Sequence, residues 1–394
     1  MTQARAAQLR VGFVMEQVLG HVTHYHTLRR VLERDERVDA HWLEVTYAGN
    51  GRLERLTALP RSVRGTLRGF LQVRDGLRRR PLDALLFHTQ KPAVFQWDYL
   101  ARVPTVLSLD VTPAQYDRLG AYYDHTPDGD TPVARLKHWI NRRTFALAQQ
   151  IVVWSTWVRD SLIDEYGVPA AKIHVIPPGV DLAFWGPPPA REGRRGLPRV
   201  LFVGGDFERK GGRLLLDWFR AHGRGRCELD LVTRTAVAAE PGIRVHHNVV
   251  GNSPVARNLF QQADVFVLPS LGECFGIASV EAMAAGLPVV ATRVGGATDI
   301  VADEHTGLLI PPADPPALAA ALDRLLADEV GRRTMGAYGR ARAERLFDAE
   351  RNAGQLVACV QRAAGPAAGR LRSTSAPPAA ARPAVAPAGR SRSG

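Results

Sequence analysis

Short continuous apolar runs alternate with amphipathic stretches along the first half of the chain. The amphipathic stretches over 133–148 and 156–166 have the spacing of helices. The apolar runs are rich in β-branched residues and bounded by polar segments, which is typical of buried parallel strands. Alternation of the two predicts an α/β fold with a doubly wound sheet. The predicted strands of this half are 11–15, 84–88, 105–109 and 151–154.

A second series of the same kind follows a segment rich in proline and glycine at 177–198, which is typical of a linker between domains. The chain is therefore predicted to form two Rossmann-like domains, 1–182 and 183–347. A helix is predicted over 348–365. The Ala/Pro/Arg tail at 366–394 has almost nothing to bury, which predicts disorder. The predicted strands of the second series are 200–203, 229–232, 265–268 and 289–291.

Composition narrows the class of protein. The chain has 394 residues, enough for two buried cores, with 45% hydrophobic and 23% charged residues, as in soluble globular proteins. Its net charge is +12, which suits an anionic substrate, a membrane surface or nucleic acid. No segment resembles a helix-turn-helix, a zinc finger or an aromatic and basic RNA platform, so we expect no nucleic-acid partner.

Cysteine content and hydropathy bear on location. Cys227, Cys274 and Cys359 form neither a disulfide framework nor a CxxC pattern. No apolar run reaches the roughly 18 residues of a membrane helix, and the first residues lack the pattern of a signal peptide. We therefore expect a cytoplasmic protein.

The segment with the most chemical information is 269–288. It follows the strand predicted at 265–268, and a helix is predicted to begin near Gly276. A helix N-terminus at the carboxyl end of a parallel strand offers free N–H groups to a phosphate. Glu273 precedes this helix and Glu281 lies inside it, and eight helical residues span about 12 Å. The two carboxylates are therefore expected to contact different parts of one extended ligand.

This segment resembles the family 4 retaining glycosyltransferases of the GT-B fold, in which two Rossmann-like domains face each other across a donor and acceptor cleft. Glu273-CFGIASV-Glu281 fits their Glu-x7-Glu motif, and Ala-Met-Ala-Ala-Gly-Leu-Pro follows it. The resemblance implies that Glu273, as a catalytic-site residue, holds donor-sugar hydroxyls and that Glu281 holds the ribose hydroxyls. It also implies that backbone N–H groups face the sugar and diphosphate, namely those of Phe275, Gly276, Ile277 and Ala278.

A glycine-rich loop with two cations is the second candidate for donor binding. Val203-Gly-Gly-Asp-Phe-Glu-Arg-Lys-Gly-Gly212 is neither GxGxxG nor a P-loop, but its glycines allow a ligand to approach closely. Lys210-Gly211 matches the Lys-Gly of the family, whereas Gly205 stands where the family has arginine. We expect Arg209 to supply that charge to a diphosphate, together with Lys210. The alternative is a surface cation pair at a helix start.

A histidine-rich segment follows the first strand. The family has a glycine-containing loop there, near the acceptor. This implies that Gly20 is the tight point of the loop, where the backbone turns most sharply, and that His21 and His24 lie on the acceptor side. The spacing of these histidines and His26 does not place all three on one helical face, and no carboxylate or cysteine stands among them. We therefore expect no metal site there. His88 is predicted to be a strand-end residue rather than a catalyst.

Asp110 follows the strand predicted at 105–109, at the position where many family members have a histidine near the donor sugar. A carboxylate there could accept a hydrogen bond from a sugar hydroxyl and favour positive charge at the anomeric carbon. Asp110 is thus the second candidate catalytic residue. The alternative is structural, because aspartate is common in turns and Thr112 and Pro113 follow.

Residues 61–80 form a basic amphipathic stretch with apolar residues at helical spacing. Such a helix either lies on anionic lipid at the inner face of the membrane or packs on its own sheet with a solvated basic face. Both alternatives remain open from the sequence.

Together these features predict a retaining glycosyltransferase that moves a sugar from a nucleoside diphosphate sugar, UDP- or GDP-linked, to an acceptor the sequence does not identify. No cofactor and no metal are expected, because cations and a helix N-terminus can carry the charge of the diphosphate. The alternatives are a GT-B sugar-nucleotide epimerase or phosphorylase and a non-catalytic protein that binds sugar nucleotides.

Overall fold

A computed structural model of the chain describes residues 8–365, apart from Leu19, 48–60, Asp124, 188–195 and Ala239. Within these residues the chain forms two parallel sheets of six strands each. The predicted tail at 366–394 lies outside the described residues. None of the helices in the described part of the chain is long and apolar enough to cross a membrane.

The first sheet has the strand order β2-β1-β3-β4-β5-β6. Its central strands are buried on both faces, since helices cover the sheet from both sides. The strands are β1 (Leu9–Glu16), β2 (Val38–Val45), β3 (Ala84–His88), β4 (Thr105–Leu109), β5 (Gln150–Val153) and β6 (Ile173–Val175).

The helices of this half begin where the sequence provides capping residues. Thr131 caps one helix with proline at its first position, and Thr112 forms a capping box with Gln115 at the start of another. The helices are α1 (His21–Leu32), α2 (Arg61–Arg78), α3 (Trp97–Leu100), α4 (Pro113–Arg118), α5 (Pro132–Leu147) and α6 (Thr156–Asp164).

The second sheet has the strand order β12-β11-β10-β7-β8-β9. Its centre, like that of the first sheet, consists of the continuous apolar runs that the sequence pattern identified as buried strands. The strands are β7 (Arg199–Val203), β8 (Glu228–Val232), β9 (Ile243–His246), β10 (Val265–Leu268), β11 (Val289–Thr292) and β12 (Gly307–Ile310).

The helices of the second half, apart from the last one, pack on this sheet and share its hydrophobic core. Ser253 and Asp314 each cap a helix that has proline at its start. The helices are α7 (Gly212–Trp218), α8 (Pro254–Gln262), α9 (Ile277–Ala284), α10 (Ala297–Ile300), α11 (Pro315–Ala327), α12 (Glu329–Leu346) and α13 (Ala349–Ala364).

The last helix packs on the first sheet rather than the second. Leu356, Val357 and Val360 of α13 belong to the same buried cluster as Val11 and Phe13 of β1. The chain therefore crosses between the domains twice, once after β6 and once before α13. These crossings touch, because Val180 pairs with Asp348 in an isolated parallel bridge.

A glycine is required at this double crossing. A Cβ on Gly179 would lie 2.4 Å from Cα of Ala349, a backbone atom that cannot move aside cheaply. A further contact between the domains joins Thr156 at the start of α6 to Asp299 in α10, with Oγ1 of Thr156 donating to the carboxylate over 2.7 Å. These contacts fix how the carboxyl ends of the two sheets face each other.

The sequence pattern missed four strands of the described residues, β2, β6, β9 and β12, and all four lie at sheet edges. β2 and β9 lie at sheet edges and have several partly exposed side chains, so neither has the continuous apolar run of a central strand. β12, also an edge strand, is only four residues long and begins with glycine. The α/β character predicted from the pattern is confirmed.

Candidate active site

A cleft of about 1380 Å³ lies between the carboxyl ends of the two sheets. Residues of both domains line it, from the end of β1 to the start of α9. Ligands of open α/β sheets bind at such carboxyl ends. Pockets for one small ligand measure about 300–1,000 Å³, so this cleft has room for two substrates side by side.

The second-domain wall of the cleft is defined by the loop after β7 and by the loop and helix after β10. Gly276 precedes α9 with φ of 99°, a left-handed conformation that glycine adopts without strain. Phe275, Ile277 and Ala278 line the cleft at this turn, where the first N–H groups of a helix have no partner within the helix. The predicted helix start near Gly276 is thus where the structure has it.

Glycines hold the segment that carries Glu273. Gly295 has φ of 54°, and a Cβ on it would lie 1.9 Å from the carbonyl oxygen of Glu273. Gly211 has φ of 75°, and its Cβ would lie 1.9 Å from the carbonyl oxygen of Pro269. Backbone therefore packs directly on backbone around Glu273, with no side chain between.

Glu273 and Glu281 both border the cleft, as predicted, and both are buried. Glu273 accepts a hydrogen bond from Lys210 Nζ, which forms an ion pair between the two loops of this wall. Glu281 differs, because burial alone raises its pKa to about 8. The carboxyl group of Glu281 is therefore largely protonated at neutral pH when nothing is bound.

The two predicted cations of the glycine-rich loop have different environments. Lys210 keeps its ammonium group at the cleft, beside Glu273. Arg209 is only 9% exposed, and its guanidinium donates to the Asp206 carboxylate over 2.9 Å and to the Gly272 carbonyl over 3.0 Å. The same guanidinium lies 4.3 Å from the ring centre of Tyr123 in the first domain. Arg209 therefore joins the two domains as well as bordering the cleft.

The first-domain wall contains the predicted Asp110 and His21. His21 Nε2 lies 3.1 Å from Asp110 Oδ2, and Nδ1 lies 3.8 Å from Glu16 Oε2. Burial lowers the pKa of His21, but the charge and hydrogen bond of Asp110, with Glu16 further away, outweigh burial and leave the pKa raised. The cleft thus has a histidine held between two carboxylates opposite the Glu273 loop.

Asp110 does not cap the turn that follows it. Thr112 accepts from the backbone N–H of Gln115, and the Gln115 side chain accepts from the backbone N–H of Thr112. Thr112 rather than Asp110 therefore caps this turn. The Asp110 carboxylate instead contacts His21 and borders the cleft.

Two expectations for the histidine-rich segment were wrong. Gly20 is not a tight point, since its φ is −66° and a Cβ there would meet nothing within 4 Å. His21 and His24 lie in helix α1 rather than in a loop, and His24 faces a small neighbouring cavity beside α13 instead of the cleft. The apolar residues Leu28 and Leu32 share the buried face of α1, so packing of this face makes the segment a helix rather than a loop.

Behind His21 lies a stack of aromatic rings. The His88 ring is parallel to Trp154 with centres 5.3 Å apart, and His24 packs against both. Burial lowers the pKa of His88 well below its usual range and that of His24 to about 3. Both rings are uncharged supports of the cleft wall. Within the described residues, no group of three or more His, Cys, Asp or Glu is placed to hold a metal ion.

Sequence reasoning did not identify Tyr123, Trp154 or Arg234 as cleft residues. Tyr123 comes from the first domain but contacts Arg209 and lies 3.4 Å from Cys274 Sγ. Such contacts join residues about 90 to 150 positions apart, so no local spacing could indicate them. For Arg234 a signal existed, because it stands two residues after a predicted strand, close to its carboxyl end.

The architecture and the cleft define a class of protein, the two-domain GT-B glycosyltransferases. Residues 18–184 match the family described as Glycosyltransferase Family 4, and residues 197–328 match that described as Glycosyl transferases group 1. The chain belongs to this group of glycosyltransferases, which confirms the predicted family.

The curated relatives are also named as glycosyltransferases. The chain is 33% identical over 248 residues to a D-inositol 3-phosphate glycosyltransferase of Xylanimonas cellulosilytica, covering 56% of this chain and 58% of that protein. It is 30% identical over 262 residues to an MMP alpha-(1->4)-mannosyltransferase of Mycolicibacterium hassiacum, covering 60% and 63%. The matches therefore span less than two thirds of these relatives.

Solved structures share the fold. Sucrose-phosphate synthase from Thermosynechococcus elongatus superposes with a TM-score of 0.70 at 20% identity, over 89% of this chain and 98% of that one. HepE from Anabaena, solved in complex with UDP and glucose, gives 0.63 at 18% identity, over 89% and 99%. At these identities the likeness establishes the fold, and it confirms the predicted GT-B architecture.

Proposed function

We propose that the protein is a retaining glycosyltransferase that moves a sugar from a nucleoside diphosphate sugar to an acceptor bound in the same cleft. One observation carries this proposal. A helix N-terminus with two buried glutamates and a lysine forms one wall of the cleft, and the His21–Asp110 pair forms the other. An extended anionic donor fits the first wall, and the space that remains accommodates an acceptor.

The donor would lie along the second-domain wall. Its diphosphate would sit at the start of α9, where Phe275, Gly276, Ile277 and Ala278 border the cleft and where the helix dipole favours negative charge. Lys210 and the loop at Gly205 would contact the phosphates from the other side. Glu281 would accept hydrogen bonds from the ribose hydroxyls deeper in the wall, and Glu273 would accept hydrogen bonds from hydroxyls of the sugar.

The reaction would depend on position and charge. The bond between the anomeric carbon and the diphosphate oxygen breaks, and a bond to the acceptor oxygen forms on the same face of the sugar. The proton of the acceptor hydroxyl passes to an oxygen of the departing diphosphate. Asp110 would stabilise the positive charge at the anomeric carbon from the first-domain wall. Lys210, Arg209 and the helix dipole would bear the charge of the diphosphate without a metal ion.

The HepE structures support a sugar-nucleotide donor. HepE is described in complexes with UDP and with UDP-glucose, and it shares the fold of this chain. The curated relatives are named as glycosyltransferases of a phosphorylated inositol and of MMP. A UDP- or GDP-linked sugar is therefore the donor class to test first.

The test has two stages. Thermal-shift measurements with UDP-, GDP- and ADP-sugars identify the donor, because a ligand that binds the folded state raises its melting temperature. NMR spectroscopy of the reaction with a panel of sugar, polyol and sugar-phosphate acceptors then shows the anomeric configuration of the product. Transfer with retained configuration is expected. Inversion would contradict the retaining mechanism, and no stabilisation by any donor would contradict the donor site.

The same reactions separate the alternatives. An epimerase releases an isomeric sugar nucleotide without an acceptor, a phosphorylase requires inorganic phosphate, and a binding protein consumes no donor. We expect turnover to require the acceptor and to persist in EDTA. Complete loss in EDTA that Mn²⁺ or Mg²⁺ restores would contradict a metal-independent reaction.

We also propose that the first domain contacts a membrane surface with helices α2 and α5. Leu67 and Leu71 of α2 are exposed, and α5 exposes Val133, Leu136 and Trp139. The region from 61 to 80 has seven arginines and one aspartate, and 132–147 has four basic residues and no acid. Apolar side chains surrounded by basic ones suit the interface of an anionic bilayer.

Sedimentation with vesicles tests this contact. Phosphatidylcholine vesicles that contain phosphatidylglycerol should bind the protein, and those without it should not. Leu136→Ser with Trp139→Ser should reduce the bound fraction, whereas Val330→Ser, at an equally exposed position of the second domain, should not. Equal binding of all variants would contradict this surface.

A further inference from the structure

The basic side chains of the cleft differ in whether a carboxylate already neutralises them. Arg209 pairs with Asp206, Lys210 with Glu273 and Lys137 with Asp128, while Lys91 Nζ lies 4.0 Å from Glu16. Among the arginines and lysines that the structure describes along the cleft, Arg234 is the one with no carboxylate partner. Its side chain borders the cleft and is exposed there.

Arg234 lies at the carboxyl end of β8, next to the glycine-rich loop that follows β7. Backbone pairing between these strands places them side by side, with Val203 opposite Val232. The Arg234 guanidinium lies over Gly205, with Nε 3.5 Å from the Gly205 carbonyl oxygen. A Cβ on Gly205 would come within 3.1 Å of both Nε and Nη2 of Arg234.

Gly205 and Arg234 therefore complement each other. The missing side chain at 205 leaves the space that the guanidinium of 234 occupies, so a cation reaches the loop from the neighbouring strand. This guanidinium is a rigid fork of N–H donors that matches the oxygens of a phosphate. Gly204, Lys210 and Glu281 of the same domain also line the cleft.

We propose that Arg234 is a phosphate-binding residue of the nucleotide site, and that Gly205 leaves room for the Arg234 guanidinium. This inference rests on the proposed function, since it assigns the group that neutralises part of the donor's diphosphate. It gives Arg234 the open anion-binding position, whereas Arg209 is already paired with Asp206 and contacts Tyr123 of the first domain.

Nucleotide binding tests the assignment. The wild-type protein is titrated with UDP, GDP and ADP by calorimetry, and the nucleotide that binds is used for the variants. Arg234→Ala should weaken its binding about tenfold or more, because a charge-assisted contact to phosphate is lost. Binding of the corresponding nucleoside, followed by ligand-observed NMR, should not change. Arg226→Ala, which removes an exposed arginine paired with Asp323 elsewhere in the domain, is the matched control.

A double-mutant cycle tests the relation to Gly205. With Arg234 present, Gly205→Ala should weaken nucleotide binding roughly threefold, because the new methyl group displaces the guanidinium. In the Arg234→Ala background the same substitution should have a clearly smaller effect, because there is no guanidinium to displace. Equal losses in both backgrounds would contradict the claim that Gly205 makes room for Arg234.

The outcomes separate this inference from the proposed function. If no nucleotide binds the wild-type protein, both the donor site and the proposed role of Arg234 are contradicted. If a nucleotide binds the wild-type protein and Arg234→Ala equally well, the donor site stands and the assignment of Arg234 is overturned.

Discussion

The two walls of the cleft are built in different ways. In the second-domain wall, glycine backbones pack against the loop that carries Glu273, and the predicted ligand contacts include N–H groups of α9. In the first-domain wall, side chains from separate strands and a helix meet, as His21 and Asp110 do. Backbone contacts to a diphosphate leave few choices of sequence, whereas a wall of side chains can be assembled in many ways. This difference explains why a local motif indicated the residues of the second wall, whereas the pairing of His21 with Asp110 in the first wall depends on how separate elements pack.

A matched pair of glycine substitutions gives the largest contrast between the walls. Gly295→Ala should reduce turnover about 100-fold, because the left-handed backbone and the contact with the Glu273 carbonyl force the Glu273 loop to move. Gly20→Ala in the other wall should leave turnover unchanged, since its backbone is right-handed and its surroundings are open. Initial rates and melting temperatures of both variants decide this. Equal effects of the two substitutions would contradict the contrast.

Glu273→Gln tests the same wall without moving backbone. The variant keeps the shape but removes the charge that pairs with Lys210 and that would accept sugar hydroxyls. We expect turnover to fall about 30-fold, or roughly 2 kcal/mol, as for loss of a charged hydrogen bond. Glu344→Gln, at an exposed position of α12, is the control. A rate within twofold of wild type would show that Glu273 serves structure only.

Asp110→Asn tests the first-domain wall. We expect at least a tenfold loss of turnover, about 1.4 kcal/mol of barrier, with little change in melting temperature. The pKa of His21 should fall, because the carboxylate that favours the imidazolium is gone. NMR titration of the His21 ring checks the second expectation. Normal turnover with a lowered His21 pKa would assign the pair to structure rather than to the reaction.

Glu281→Gln should change how the stability of the protein depends on pH. Burial raises the pKa of Glu281 to about 8, so between roughly pH 4.5 and 8 the folded state holds a proton that the unfolded state has lost. Wild-type stability should therefore fall with rising pH in this window, by up to about 1.4 kcal/mol per pH unit. Glutamine cannot titrate, so the variant should melt higher than wild type at pH 8 and similarly at pH 5, while it binds nucleotide more weakly. Parallel melting curves across pH would contradict the buried acid.

The sequence predicted the central strands and the start of α9 from local patterns, and part of the second-domain wall from the resemblance of 269–288 to its family. Gly276, Glu281 and Lys210 lie where strand, loop and helix signals place them. Tyr123 and Trp154 were not predictable, because their roles depend on how two sheets face each other. His24 was misplaced because packing of α1 on the first sheet turns it away from the cleft, which its spacing in the sequence does not show.

The central claim is that the second-domain wall binds a nucleoside diphosphate, and calorimetric titration of wild type and Lys210→Ala tests it most directly. One of UDP, GDP or ADP should bind the wild type at a single site. Lys210→Ala should weaken that binding by about 1.5–3 kcal/mol, the range for a charge-assisted bond. Arg209→Ala, measured alongside, shows whether that residue contributes beyond joining the domains. Absence of binding by all three nucleotides, or equal affinity in wild type and Lys210→Ala, would contradict the claim.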